Sequence, residues 1–209
     1  MTSPRTSGRQ VSVWPLALPI VFWAVIFHFK PLPFWDMMTP AVAIMGAVAV
    51  AMSGKGIIAP APLVREIGKG VASAALLYGV FFIGNFVAAH IIPGATADIG
   101  AVYGIRAGTS LVLVSLALLL VIGPGEVLFW QGLVERRWIE RFGAARGWLF
   151  TSLVYAGIHL WSVNPMLVLA ALVAGLAWGG LYARGWSVQS LIVSHALWDV
   201  GILILFPIR

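Results

Sequence analysis

Four ionisable side chains stand in otherwise apolar stretches of the chain: Glu126, His159, His195 and Asp199. Such residues are costly inside a bilayer unless they have a partner or a function. A carboxylate and a histidine can together deprotonate a water for attack on a carbonyl group. A second histidine, one helical turn from a hydrogen-bonding neighbour, can stabilise the resulting oxyanion. We therefore predict that these four residues form one hydrolytic site within the membrane.

The positions of these residues along their segments agree with a shared site. Counted to the nearest arginine in a predicted inner loop, Glu126 lies 10 residues away, His195 lies 11 away and His159 lies 13 away. At 1.5 Å per helical residue these separations are all roughly 15–20 Å. Three polar groups from three helices can therefore meet at one depth. One shared site explains four ionisable residues better than four separate helix–helix contacts do, because each residue has its own insertion cost.

Helical spacing also identifies supporting residues. Tyr155 shares a helix face with His159, and Trp130 shares one with Glu126, because positions four apart lie on the same side. Small residues near the site predict close approach of helix backbones; they are Gly123, Gly125, Gly132 and Gly157.

The composition of the 209-residue chain limits the class of protein. It is 61% hydrophobic and only 10% charged, with a mean hydropathy of +0.98, whereas soluble domains carry about 25% charged residues. We predict an all-α, polytopic membrane bundle without a sizeable soluble domain. The absence of cysteine excludes a disulfide framework, a thiolate nucleophile and a cysteine metal site. There is no Gly-x-Ser-x-Gly serine motif and no Gly-rich phosphate loop.

The apolar stretches predict about seven transmembrane helices after a cytoplasmic tail of residues 1–12. Residues 13–209 form a single membrane domain, in which 13–106 hold the first three spans and 107–206 hold the catalytic core spans. The predicted spans are 13–29, 37–52, 71–92, 107–134, 148–161, 166–182 and 188–206. Residues 53–70 and 135–146 are predicted as basic loops, 93–106 as an outer loop, and 123–125 as an interruption of the fourth span.

Basic residues predict the orientation of the bundle. With a cytoplasmic N-terminus, ten of the thirteen Lys and Arg fall in inner segments, as the positive-inside rule requires. The ten are Arg5, Arg9, Lys55, Arg65, Lys69, Arg136, Arg137, Arg141, Arg146 and Arg184. The net charge of +6 is thus explained by loops that face anionic lipid, and no nucleic-acid partner is expected. A multi-pass protein of the cell membrane is predicted.

These motifs resemble the CAAX prenyl protease and bacteriocin-processing (CPBP) family of intramembrane glutamic proteases, which includes Abi-like members. The first family motif is Glu-Glu-x-x-x-Arg, often with Pro-Gly before it, and residues 124–132 read Pro-Gly-Glu-Val-Leu-Phe-Trp-Gln-Gly. The second motif, an aromatic residue four positions before a histidine, is matched by Tyr155 and His159. The third, His-x-x-x-Asn or Asp, is matched by His195 and Asp199. The resemblance covers about residues 108–206.

The resemblance implies a role for each residue. Glu126 and His159 would activate water, and His195 and Asp199 would stabilise the oxyanion. Family members are generally viewed as metal-free, so no metal and no cofactor are expected.

Two positions depart from the family pattern. The second glutamate of the first motif is Val127, and its arginine is Gln131. In the family motif the charges of this glutamate and arginine could compensate each other, so the loss of both leaves neither charge unpaired. Gln131 is expected to support the site together with Tyr155 and Trp130.

The resulting hypothesis is an intramembrane endopeptidase that cleaves a membrane-anchored protein or peptide near the cytoplasmic side of the bilayer. A protease that sorts or matures C-terminal peptides fits as well as a prenyl-protein protease. The losses at Val127 and Gln131 favour an alternative, a catalytically silent relative acting as an immunity or scaffold protein. A further alternative is a metal-dependent hydrolase or transporter whose ligands are the same four ionisable residues, since oxygen and imidazole donors suit zinc.

Overall fold

The fold is a bundle of helices. The computed structural model describes residues 14–58 and 60–208, and within these ranges it contains no strand. The helices are α1 (Trp14–Phe29), α2 (Phe34–Ser53), α3 (Leu63–Ile91), α4 (Ala95–Gly104), α5 (Leu111–Phe142), α6 (Ala144–Ile158), α7 (Pro165–Ala183) and α8 (Val188–Leu205). The predicted cytoplasmic tail, residues 1–12, lies outside the described residues, as do Arg5, Arg9 and Arg209.

Five of these helices, α2, α3, α5, α7 and α8, are long and apolar enough to cross a membrane. The protein is therefore a multi-pass, all-helical membrane protein. The predicted first span corresponds to α1, which is apolar but shorter than the five. The predicted fifth span corresponds to α6, which has 15 residues. The count of seven spans is not confirmed.

The predicted loops of residues 53–70 and 93–106 are partly helical. Helix α3 begins at Leu63, directly after Pro62, and not at residue 71. Its first turns carry charges that are paired, since Nζ of Lys69 lies 3.2 Å from Oε1 of Glu66. The hydroxyl of Ser187, which precedes α8, donates to Oε2 of Glu66 at 2.5 Å. The pairing allows the helix to continue through its polar start. The predicted outer loop, residues 93–106, likewise contains α4.

Helix α5 is not interrupted at Gly-Pro-Gly but runs from Leu111 to Phe142. Pro124 has no N–H for the helix ladder. The turns before Pro124 are wider and π-helical, which accommodates the missing hydrogen bond. In them the N–H of Gly123 bonds to the carbonyl of Leu118, five residues back. The helix ends at Gly143, whose φ of 84° suits glycine. The prediction of a basic loop over residues 135–146 is therefore wrong except at Gly143, since the next helix begins at Ala144.

Two buried acids lie in stretches that the sequence predicts as loops. Glu135 belongs to α5 and is 0% exposed, and Glu66 of α3 is 4% exposed. Neither oxygen of Glu135 has a hydrogen-bond partner at normal distance, although Gln131, one turn earlier, is close enough to interact. Charge in the sequence suggested a loop here, whereas packing against α7 at Gly179 buries the side chain.

Glycines hold α5 at the centre of the bundle. A Cβ on Gly123 would lie 2.8 Å from backbone atoms of Ala196 in α8. A Cβ on Gly125 would lie 2.6 Å from Cγ1 of Val42 in α2. Both helices therefore cross α5 in direct contact beside Glu126. The same role predicted for Gly157 is wrong, because a Cβ there would meet nothing within 4 Å.

Candidate active site

The four predicted site residues line one cavity. Glu126 comes from α5, His159 follows the end of α6, and His195 and Asp199 come from α8. The cavity has a volume of about 330 Å³, a size typical of ligand sites, which span roughly 300–1,000 Å³. All four side chains are buried, with 4–7% of their surface exposed. The structure thus brings together residues from three separate parts of the chain, as the spacing predicted.

Tyr155 connects Glu126 to His159. Its hydroxyl donates to Oε2 of Glu126 at 2.8 Å, and its backbone carbonyl lies 2.7 Å from Nδ1 of His159. A carbonyl oxygen can only accept, so Nδ1 carries the proton, and Nε2 of the neutral ring keeps its lone pair. The His159 ring is held further by an edge contact with Trp23, at a centroid distance of 5.7 Å. One tyrosine thereby positions both a carboxylate and an imidazole base.

His195 and Asp199 form the opposite side of the site. Nε2 of His195 lies 3.6 Å from Oδ2 of Asp199, which is close but longer than a hydrogen bond. The imidazole is stacked on the indole of Trp178, with ring centroids 3.8 Å apart. Asp199 is also close enough to Glu126 for their charges to interact. The two carboxylates therefore share one polar region.

A second, small cavity lies against the same site. Its volume is about 10 Å³, which is close to the minimum space for one water. Its polar lining consists of Glu126, Gln131, Thr151, Ser152, Tyr155 and His195. The hydroxyls of Thr151 and Ser152 donate to backbone carbonyls of their own helix, so their oxygens remain free to accept. The chemistry of this space suits a water molecule in contact with Glu126.

The other predicted supporting residue is Trp130. It is 2% exposed, and its ring contacts Tyr155 edge-on at a centroid distance of 5.2 Å. It keeps the tyrosine in place through packing, since its indole N–H has no hydrogen-bond partner. The neighbouring Val127 is 0% exposed and lies in an apolar cluster with Leu77 and Leu191. No buried charge remains where the family motif has its second glutamate.

Sequence analysis did not identify Trp178 as part of the site. Besides stacking on His195, it donates from its indole N–H to Oγ of Ser194 at 3.0 Å. Ser194 in turn donates to Oγ of Ser73 in α3 at 2.9 Å. This chain of hydrogen bonds ties α7, α8 and α3 together behind the histidine. A tryptophan within an apolar helix gives no signal of such a role in the sequence.

The metal hypothesis receives no support from the donor geometry. Across residues 14–58 and 60–208, no group of three or more His, Asp and Glu side chains is arranged so that it could hold a metal ion.

Comparison with known proteins finds a family that matches part of the chain. Residues 108–201 match the family described as Type II CAAX prenyl endopeptidase Rce1-like. The matched segment contains all four residues of the candidate site, and it confirms the resemblance to the CPBP family. No curated protein and no solved structure matches the chain.

Proposed function

Because residues 108–201 carry the Rce1-like type II CAAX prenyl endopeptidase match, which implies a membrane protease acting on peptides, we propose that this chain is an active intramembrane endopeptidase. Its substrate is a membrane-anchored protein or peptide, and Glu126, His159, His195 and Asp199 perform the hydrolysis. The main support is that Tyr155 connects Glu126 and His159 at a cavity large enough for a peptide segment.

In the proposed mechanism, Glu126 and His159 activate the water. Glu126 takes a proton as the water oxygen bonds to the carbonyl carbon of the substrate. The unprotonated Nε2 of His159 provides a second acceptor, because its Nδ1 is engaged by the Tyr155 carbonyl. When the carbon–nitrogen bond breaks, the same proton passes to the leaving amine, so the site returns to its starting state.

His195 and Asp199 act on the carbonyl oxygen, which becomes negatively charged in the tetrahedral intermediate. A donor aimed at that oxygen is worth about 10²–10³ in rate in comparable sites. The Nε2 of His195 faces Asp199, and Asp199 can donate in its protonated form. Stacking on Trp178 fixes the plane of the His195 ring, so the imidazole is oriented before the substrate binds.

A second function, a catalytically silent relative acting as an immunity or scaffold protein, is favoured by one observation. Val127 is packed in apolar surroundings, and Gln131 is a neutral amide, so both charges of the first family motif are absent. A silent relative would keep the cavity but would not turn over substrate.

The deciding experiment compares wild type with Glu126→Gln in lipid vesicles. The probe is a library of apolar peptides of about 20 residues, and cleavage is measured by mass spectrometry. Glutamine keeps the volume and still accepts from Tyr155, but it cannot take the proton of water. We expect cleavage by wild type and none by the variant.

Glu140→Gln provides the matched control, because the side chain of Glu140 is 64% exposed on the same helix and pairs with Arg136 away from the cavity. Its activity should equal that of wild type. Equal cleavage by Glu126→Gln would refute the proposed base, and the absence of cleavage by wild type would favour the silent relative.

A further inference from the structure

The large cavity extends from the catalytic residues toward one end of the bundle only. Along α5 its lining consists of Leu118, Ile122 and Glu126, all in the first half of the helix. The loop before α5 contributes Arg106, and the N-terminal part of α7 contributes Leu167. We call this end of the bundle, where α4 and residues 105–110 lie, the open end.

Toward the other end the site is closed by packed side chains. Trp130 and Leu133 of α5 and Trp178 of α7 are each 1–2% exposed. Between Trp130, Trp178 and Glu126 lies the small cavity, which has room for about one water. A peptide could not pass through this layer without unpacking it.

Basic residues mark the closed end. Of the Lys and Arg residues that the structure describes, only Lys30 and Arg106 belong to the open end. The rest lie at the closed end, in the helix turns nearest to it or in the segments between helices: Lys55, Arg65, Lys69, Arg136, Arg137, Arg141, Arg146 and Arg184. Arg106 is itself held by contacts within the bundle, since it donates to the carbonyl of Leu203 and lies 5.6 Å from the ring centroid of Tyr103.

Segments rich in Lys and Arg remain on the cytoplasmic side of a membrane protein. We therefore propose that the active-site cavity opens to the outer, extracytoplasmic side of the membrane. Its substrates would be apolar peptide segments presented from that side, and not peptides of the cytoplasm. This inference rests on the proposed function for the cleavage step, and it replaces the expectation of cleavage near the cytoplasmic side.

The apolar lining specifies the class of peptide. Most residues around the cavity are aliphatic or aromatic, and the aromatic members at the open end include Phe34 and Trp35. Burial of apolar surface stabilises a complex by about 25 cal/mol for each Å² removed from water. A segment with large apolar side chains near the cleaved bond would therefore bind better than a polar segment.

Cysteine labelling tests the direction of access without relying on catalysis. The chain contains no cysteine, so a single introduced thiol is the only reactive one. Ala170→Cys places it in the cavity, and Ala145→Cys places it on the exposed surface at the closed end. Both variants are treated with a charged, membrane-impermeant maleimide in sealed right-side-out and inverted vesicles.

We expect Ala170→Cys to react in right-side-out vesicles and Ala145→Cys to react only in inverted ones. Labelling of Ala170→Cys only in inverted vesicles would overturn the proposal. Failure of Ala170→Cys to react in either preparation would also contradict it, because an open cavity must admit the reagent. None of these outcomes depends on whether the protein is a protease.

A cleavage measurement then tests from which side of the membrane the peptide reaches the cavity. Apolar peptides from the library are added to the outside of each kind of sealed vesicle. Cleavage only in right-side-out vesicles is expected, whereas cleavage only in inverted vesicles would refute the direction but keep the proposed function. Correct labelling without cleavage in either preparation would refute the proposed function but keep the direction.

Discussion

The Tyr155 hydroxyl donates to Oε2 of Glu126 at 2.8 Å. The tyrosine comes from α6 and the carboxylate from α5, so the bond sets the position of one helix relative to the other at the site. The same tyrosine uses its backbone carbonyl to fix the His159 ring. Both groups proposed to activate water therefore depend on a residue that takes no part in bond breaking.

Replacing Tyr155 by phenylalanine should lower the turnover number by about 10- to 100-fold. This range corresponds to the roughly 1.5–3 kcal/mol of a hydrogen bond to a charged group. The ring contacts with Trp130 and His159 and the backbone bond to His159 should remain. The measurement is the cleavage rate in vesicles together with the thermal unfolding midpoint. An unchanged rate would show that the hydroxyl has no part in positioning Glu126.

Substitutions at Asp199 should separate hydrogen bonding from charge. Asp199→Asn keeps a donor beside His195, and the resemblance to the CPBP family implies that either residue serves in the third motif. We expect this variant to keep most of the turnover. Asp199→Ala removes the donor and should reduce the turnover number by about 10²–10³-fold with a smaller change in KM. Equal loss in both variants would indicate that the carboxylate itself is required.

Adding a methyl group at Gly123 should destabilise the bundle. The new Cβ would lie 2.8 Å from backbone atoms of Ala196, and overpacking of this kind costs about 1–3 kcal/mol. Gly157→Ala is the matched control, because its Cβ would meet nothing within 4 Å. The thermal unfolding midpoint should fall for Gly123→Ala and stay level or rise for Gly157→Ala. A similar fall in both variants would mean that helix crossing at Gly123 is not the cause.

The absent charges of the first family motif can be restored one at a time. Val127→Glu alone puts an unpaired carboxylate into apolar surroundings, at a cost of roughly 2.5–3.5 kcal/mol for a charge at the centre of a membrane helix. Adding Gln131→Arg should recover part of this cost, since positions four apart share a helix face. Unfolding measurements on both single variants and the double variant give the coupling energy.

The wild type, the two single variants and the double variant also test the proposed function. Under that proposal the wild type cleaves the peptide library, and the double variant is not needed for activity. An inactive wild type beside an active double variant would identify the natural chain as a silent relative. No coupling between the two substitutions would mean that the side chains do not reach each other.

The sequence by itself determined the class of protein, and it was the source of the residues proposed for the candidate site. Hydrophobic composition and span-length apolar stretches predict a multi-pass helical membrane protein, because unpaired backbone groups are not tolerated in lipid. Polar residues in such stretches carry a large cost, so Glu126, His159, His195 and Asp199 could be selected without coordinates. Their order and spacing also predict the resemblance to the CPBP family, and the match over residues 108–201 agrees with it.

Helix boundaries depended on tertiary contacts. Charged residues suggested loops at Glu66 and Glu135, yet both side chains are buried in helices. Glu66 is stabilised by Lys69 and by Ser187, the latter 121 positions away. A partner so distant in sequence cannot be inferred from local composition.

Only the tertiary structure decided how the site is enclosed. Local spacing placed Tyr155 beside His159, but the bond from its hydroxyl to Glu126 requires α5 and α6 to pack at one relative depth. The stacking of Trp178 on His195 and the direction in which the cavity opens likewise depend on how separate helices pack together. Residue spacing determines which side chains share a helix face, whereas contacts between faces are fixed only when the whole bundle is assembled.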